Sequence, residues 1–210
     1  MVKAIFHDAT PLFMASHEGT VATVSTLLFS GADIDSGTNS GASPLFIASQ
    51  EGHDAVVRLL LERGADINRA RDDGVTPLFI ASQGGHESIV KLLLRRGAEI
   101  DQEMNSGATP LSIASQQNKV KVVEALLEGG ANVNKTRYNG ASPLYIASFK
   151  GHEMVVRTLL LESGAEINES ENCGWTPLFA AVHNGHETII SALLEAGADF
   201  DKADHRGRTP

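Results

Sequence analysis

The sequence predicts an all-α solenoid with β-hairpin fingers, built of six helix pairs and the start of a seventh. Three observations carry this reading. First, a Thr/Ser-Pro dipeptide recurs at Pro11, Pro44, Pro77, Pro110, Pro143, Pro177 and Pro210, every step being 33 residues except one of 34. A fixed period of this size marks stacked supersecondary units rather than one globular core. Second, Gly-His and Gly-Ala dipeptides hold their places within the period, as at Gly52-His53 and Gly64-Ala65. Third, between those dipeptides the apolar residues follow a helical period, as in Val56, Val57, Leu60 and Leu61.

Residues 1–9 are shorter than the later fingers and lack their turn glycine, so they read as a degenerate start to the first unit. Thr10, Ser43, Thr76, Thr109, Ser142 and Thr176 are placed as N-caps with proline at the first helical position. The hydroxyl accepts from an orphan backbone N–H, and proline has no N–H to leave unsatisfied. The first helix of each pair is short, 44–51 being the clearest, and ends at Gly19, Gly52, Gly85, Gly151 or Gly185. Asn118 stands in that place in the fourth unit, and asparagine tolerates the left-handed conformation next best after glycine. Ala15, Ala48, Ala81, Ala114, Ala147 and Ala181 form a small-residue column that allows close helix approach.

The second helices close at Gly31, Gly64, Gly97, Gly130, Gly164 or Gly197. Fingers such as 66–74 and 99–107 follow, where the alternation in Ala65-Asp66-Ile67-Asn68 predicts a short strand arm and the tip glycine a turn. The fifth unit has one residue more than the others. Comparison of Val155-Val156-Arg157-Thr158-Leu159 with Val56-Val57-Arg58-Leu59 places it at Thr158. There it would form a wide turn inside the second helix or a tolerated insertion on the outer surface. Thr209-Pro210 opens a seventh unit, so the chain is expected to be part of a longer protein.

The repeated pattern, with T/S-P-L followed by Phe13, Phe46, Phe79, Tyr145 or Phe179 and once by Ser112, resembles the ankyrin repeat over almost the whole chain. The resemblance implies a single array over 1–210, with repeats near 7–36, 40–69, 73–102, 106–135, 139–169 and 173–202 and a truncated seventh from 206. It also implies a recognition scaffold whose partner contacts the finger tips and the exposed side of the first helices.

Bulk properties narrow the partner. A net charge of −9 supplies no Lys/Arg stripe for a phosphate backbone, so no nucleic acid is expected, and a basic or neutral protein surface fits better. No apolar run approaches the ~20 residues a membrane helix needs, and residues 1–10 have no apolar core of a signal peptide. The single cysteine, Cys173, permits no intramolecular disulfide, which fits a cytoplasmic or nuclear protein. A monomer is the expected state.

His53, His86, His152 and His186 share one repeat position, too far apart to bind one metal ion, and read as structural. Glycines fall at helix ends and form no phosphate-binding loop. Asp33, Asp66, Glu99, Glu166 and Asp199 are a repeated finger column rather than an acid/base pair. A non-enzymatic chain without cofactor or metal is therefore expected.

Positions free to vary within a repeating frame are where binding can be written. Those singled out are Gln50, Glu51, Asp72, Asp73, Tyr138, Asn139, Phe149, Lys150, Asn172, Trp175 and His183. Tyr138, Phe149, Lys150 and Trp175 come from neighbouring units and resemble an aromatic–cationic hot spot. Two other roles stay open at this level: the targeting arm of a larger enzyme continuing past Pro210, and a mechanical spacer.

Overall fold

The structure is a computed structural model that describes residues 8–161 and 164–210. Among them are twelve α-helices in pairs: α1 (Pro11–His17) with α2 (Val21–Phe29), α3 (Pro44–Glu51) with α4 (Asp54–Glu62), and α5 (Pro77–Gly84) with α6 (Glu87–Arg95). Then come α7 (Pro110–Gln116) with α8 (Val120–Glu128), α9 (Pro143–Lys150) with α10 (Glu153–Leu161), and α11 (Pro177–His183) with α12 (Glu187–Glu195). Two compact units form, one ending at Asn105 and one spanning Ser106–Pro210. In the first, α1 packs on α3 and α3 on α5; in the second, α7 packs on α9 and α9 on α11, with the second helices stacking alongside.

The caps explain why each first helix starts where it does. The hydroxyls of Thr10, Ser43, Thr76, Thr109, Ser142 and Thr176 each accept from the backbone N–H three residues on, with proline following. Such a cap is worth about 1 kcal/mol. The alanine column is at most 5% exposed throughout, so each methyl lies in a first-helix contact. Val56, Val57 and Leu60 are buried, and Leu61 is only half-buried.

Gly52 shows why the first helices end in glycine. Its φ is +79°, and a Cβ there would lie 2.7 Å from the ring of His86 in the next repeat. That ring is the structural role of the histidine column: its Nε2–H donates to the Gln50 carbonyl at 2.9 Å. His53 donates likewise to the His17 carbonyl, His152 to that of Gln116 and His186 to that of Phe149. Each imidazole thus satisfies a helix-terminal carbonyl one repeat back, which stitches neighbouring repeats together. Asn118 has φ +56°, and among the described residues it is the one non-glycine with positive φ. Asn118→Gly is therefore expected to be neutral or mildly stabilising, and Asn118→Ala to cost about 1 kcal/mol in urea denaturation, since only the second adds a side chain ill-suited to that backbone.

Two expectations are corrected. No strand forms among the described residues: the expected hairpin arms are tight turns, with Ile67 and Asn68 in a turn rather than extended. The cause lies in the Asp/Asn side chains. Asp66 Oδ1 accepts from the Asn68 N–H and Asn132 Oδ1 from the Asn134 N–H, closing local turns that compete with a ladder. The Asp35, Asn68, Asn134 and Asn168 carboxylate or amide oxygens accept from Asp66, Glu99, Glu166 and Asp199 N–H groups in the following repeats. The finger column is thus held by repeat-to-repeat bonds.

The second correction concerns Thr158. Helix α10 is regular through Leu161, the Thr158 hydroxyl donates to the Met154 carbonyl at 2.9 Å, and Leu159 is fully buried where Leu60 is in the second repeat. Thr158 therefore matches Leu59, and no wide turn interrupts the helix. The extra residue falls between Leu161 and Gly164, and its immediate setting lies outside the described residues. One consequence is visible: Leu161 occupies the place of Glu62 and is 85% exposed.

Candidate recognition clefts

The fingers and first helices of the Ser106–Pro210 unit enclose two adjoining hollows that share Tyr145. The larger, about 550 Å³, is lined by Tyr145, Glu171, Trp175, Asp204, Arg208 and their finger neighbours. The smaller, about 350 Å³, lies between Gln116, Arg137, Asn139, Tyr145, Phe149 and Lys150. Trp175 comes from the finger immediately before Thr176-Pro177, so it stands over α11, 4.6 Å from the Phe179 ring and 4.8 Å from the His183 ring. Phe149 lies in the last turn of α9, 38% exposed, with Tyr145 one turn earlier at 6.2 Å and the Lys150 ammonium 5.9 Å from its ring centre.

Charges around the larger hollow are fixed by the last finger. Asp204 is buried and accepts from the Arg206 and Arg208 N–H groups and from the Arg208 guanidinium. Burial would raise its pKa; the backbone and guanidinium bonds outweigh that and hold it at about 2. Arg208 in turn lies 5.8 Å from the Trp175 ring centre, a cation–π contact that sets the tryptophan wall. Across the hollow, Glu171 accepts from the Cys173 and Trp175 N–H groups and so shapes the tip.

Tyr145 is held neutral. Burial, with the charges of Glu171 and Cys173, pushes its phenol up to about 12. In a Tyr138→Phe protein Tyr145 is the sole tyrosine, and its absorbance titration is expected to centre near 12 rather than near the ordinary ~10. Because the raised pKa favours the protonated phenol in the folded state, its stabilising contribution is present below pH ~10 and lost as pH rises towards 12. A midpoint near 10 contradicts this placement.

The structure distributes the sequence-derived candidates unevenly. Asn139, Phe149 and Lys150 line the smaller hollow, Asn172 and Trp175 the larger, and the His183 ring packs at a tilt against Trp175. Tyr138 is 69% exposed on its finger but lines neither. Its backbone carbonyl accepts from the Asn172 side chain, and its ring crowds Gly107. In the other unit, Gln50 borders a separate hollow with Arg71 and Gln83, Glu51 accepts from the Gln50 amide, and Asp73 is tied to Arg71. Asp72 is exposed, its N–H given to the Ser40 carbonyl.

Sequence reasoning did not single out Tyr145 and Arg137, which line these hollows. Tyr145 sits in a framework column of phenylalanines that are at most 7% exposed, yet is itself only half-buried. Its phenol, the one tyrosine in that column, was the available signal.

The family profile described as Ankyrin repeats (3 copies) matches residues 2–71, 68–137, 101–171 and 144–210. The chain belongs to the ankyrin repeat family. Ankyrin repeats are generally protein–protein interaction scaffolds and typically non-catalytic. Among solved structures, the human ASB11 ankyrin repeat domain is similar, with 29% identity and a TM-score of 0.86 over 95% of this chain and 89% of that one. Matches among solved chains number 616, so the likeness identifies the ankyrin fold without selecting a partner. No curated protein sequence matches significantly. No described helix is long and apolar enough to cross a membrane.

Proposed function

We propose that this ankyrin array is a non-catalytic recognition module whose partner docks along the fingers and first helices of the Ser106–Pro210 unit. One observation carries the reading: two adjoining hollows present half-exposed aromatic rings (Tyr145, Phe149 and Trp175) beside Lys150 and Arg208, while the helix cores behind them are closed. Rigid aromatic surface next to cations is what interface anchors are made of. The hollows are shallow grooves along fingers, shaped for a chain segment rather than for a metabolite sealed from water. The histidine column that would invite a catalytic reading is committed to repeat-to-repeat bonds, and the Asp33, Asp66 and Asp199 carboxylates each accept from the N–H two residues on. The lone cysteine permits no intramolecular disulfide, which fits a reducing compartment.

The test is selection of displayed random peptide segments against the whole chain. Segments are expected to be retained that compete with one another for a single face. Failure to retain any, or retention unaffected by Phe149→Ala and Trp175→Ala, contradicts the reading.

A further inference from the structure

The repeat offers an internal control for one arginine. Arg71 and Arg137 occupy equivalent finger positions, and equivalent hollows border them: Gln50, Ile80, Gln83 and Gly84 around the first, Gln116, Ile146, Phe149 and Lys150 around the second. Arg71 is satisfied within its own finger, where Asp73, two residues on, takes both Nε and Nη2, and its guanidinium lies 5.1 Å from the Phe46 ring centre. Arg208, on the last finger, likewise gives Nε and Nη2 to Asp204.

Arg137 has the same reach and a different shell. The residue two positions on is Asn139, whose Oδ1 is used to cap the Ala141 N–H, just as Asp73 caps Val75. Phe46 is replaced by Ser112. The guanidinium donates to Gln116 Oε1 at 2.7 Å and to Ser112 Oγ at 3.4 Å, both neutral oxygens, and among the described residues it meets no carboxylate. Burial alone pushes its pKa down, whereas the hydrogen bond to Asp73 pushes that of Arg71 up. A half-buried cation without an anion is a costly arrangement that an incoming anion offsets.

We propose that the hollow around Arg137 receives an Asp or Glu side chain of an extended acidic partner segment. Gln116 holds the guanidinium in place, Lys150 supplies a second cation, and the Tyr145 and Phe149 rings take an apolar neighbour of that side chain. The proposal rests on the recognition reading above and narrows its partner. Charge complementarity supports the occupant: in a chain of net charge −9, the lining of this hollow carries Arg137 and Lys150 and no carboxylate. The net charge alone pointed to a basic or neutral partner; the local field of this hollow points the other way. A planar carboxylate fits the guanidinium fork, with the Lys150 ammonium on the same lining.

The test uses the segments retained by the whole chain from the displayed library. They are expected to be enriched in Asp or Glu next to an aromatic or aliphatic residue, and to lose roughly tenfold to hundredfold in affinity on Arg137→Gln, the worth of a charge-assisted hydrogen bond. Asn139→Asp is the second variant. It installs the intramolecular carboxylate seen at Arg71, keeps Arg137 and the turn cap, and is expected to lower affinity comparably without lowering thermal stability. Retention of segments without acidic enrichment, or unchanged affinity in both variants, overturns the carboxylate site while leaving the recognition reading standing. Tighter binding of the same segments with phosphoserine in place of Asp or Glu overturns the choice of carboxylate. A library from which nothing is retained overturns both readings.

Discussion

Replacing Leu126 with alanine is expected to lower the unfolding free energy by roughly 2–5 kcal/mol, the largest stability effect drawn from this structure. Leu126 is fully buried on α8, beside Val122 and Val123, with the next repeat's α10 packed alongside. A truncated side chain there loses its transfer free energy and leaves a cavity in a close-packed interior that relaxes only partly to fill it. The contrast is Leu161. It is chemically identical and also helical, but 85% exposed, so Leu161→Glu, which restores the residue type of Glu62, is expected to shift stability by no more than about 0.5 kcal/mol. Chemical denaturation of both variants checks the pair. Equal losses would mean that burial does not govern this array.

The second large effect concerns binding. Tyr145→Ala with Phe149→Ala is expected to weaken retained segments by roughly thirtyfold or more, since truncating central aromatic anchors commonly costs 2 kcal/mol or more. The two rings stand 6.2 Å apart on one helix face, and Tyr145 borders both hollows. Fold damage is separable from this loss, because Phe149 is partly exposed and the helix N-cap at Ser142 is backbone-directed. Tyr138→Ala, by contrast, removes a ring outside both linings and is expected to have the smaller effect, measurable by fluorescence anisotropy on the same segments.

What was legible in the sequence was whatever a single residue type determines locally. Serine or threonine before proline sets a helix start, and glycine or Asn118 sets a left-handed end; the structure keeps all of these where the spacing put them. The strand arms were misread because alternation around Ile67 resembles a strand, whereas Asp66 and Asn68 spend their side chains on neighbouring N–H groups. The extra residue was misplaced because a run of leucines at 159–161 offers several registers, and only burial of Leu159 decides among them. Tyr145 and Arg137 were hidden for a different reason. Each sits at a framework or finger position whose role depends on neighbours one repeat away, Ser112 and Gln116 for the arginine, and such neighbours meet only once the repeats are stacked.

The most direct measurement of the central claim is hydrogen exchange across the whole chain with and without a saturating retained segment. Protection is expected over 137–150 and 171–183, the finger and first-helix stretches that line the two hollows, with little change on α8 and α10. Protection confined to α8 and α10, with 137–150 unchanged, would contradict the account.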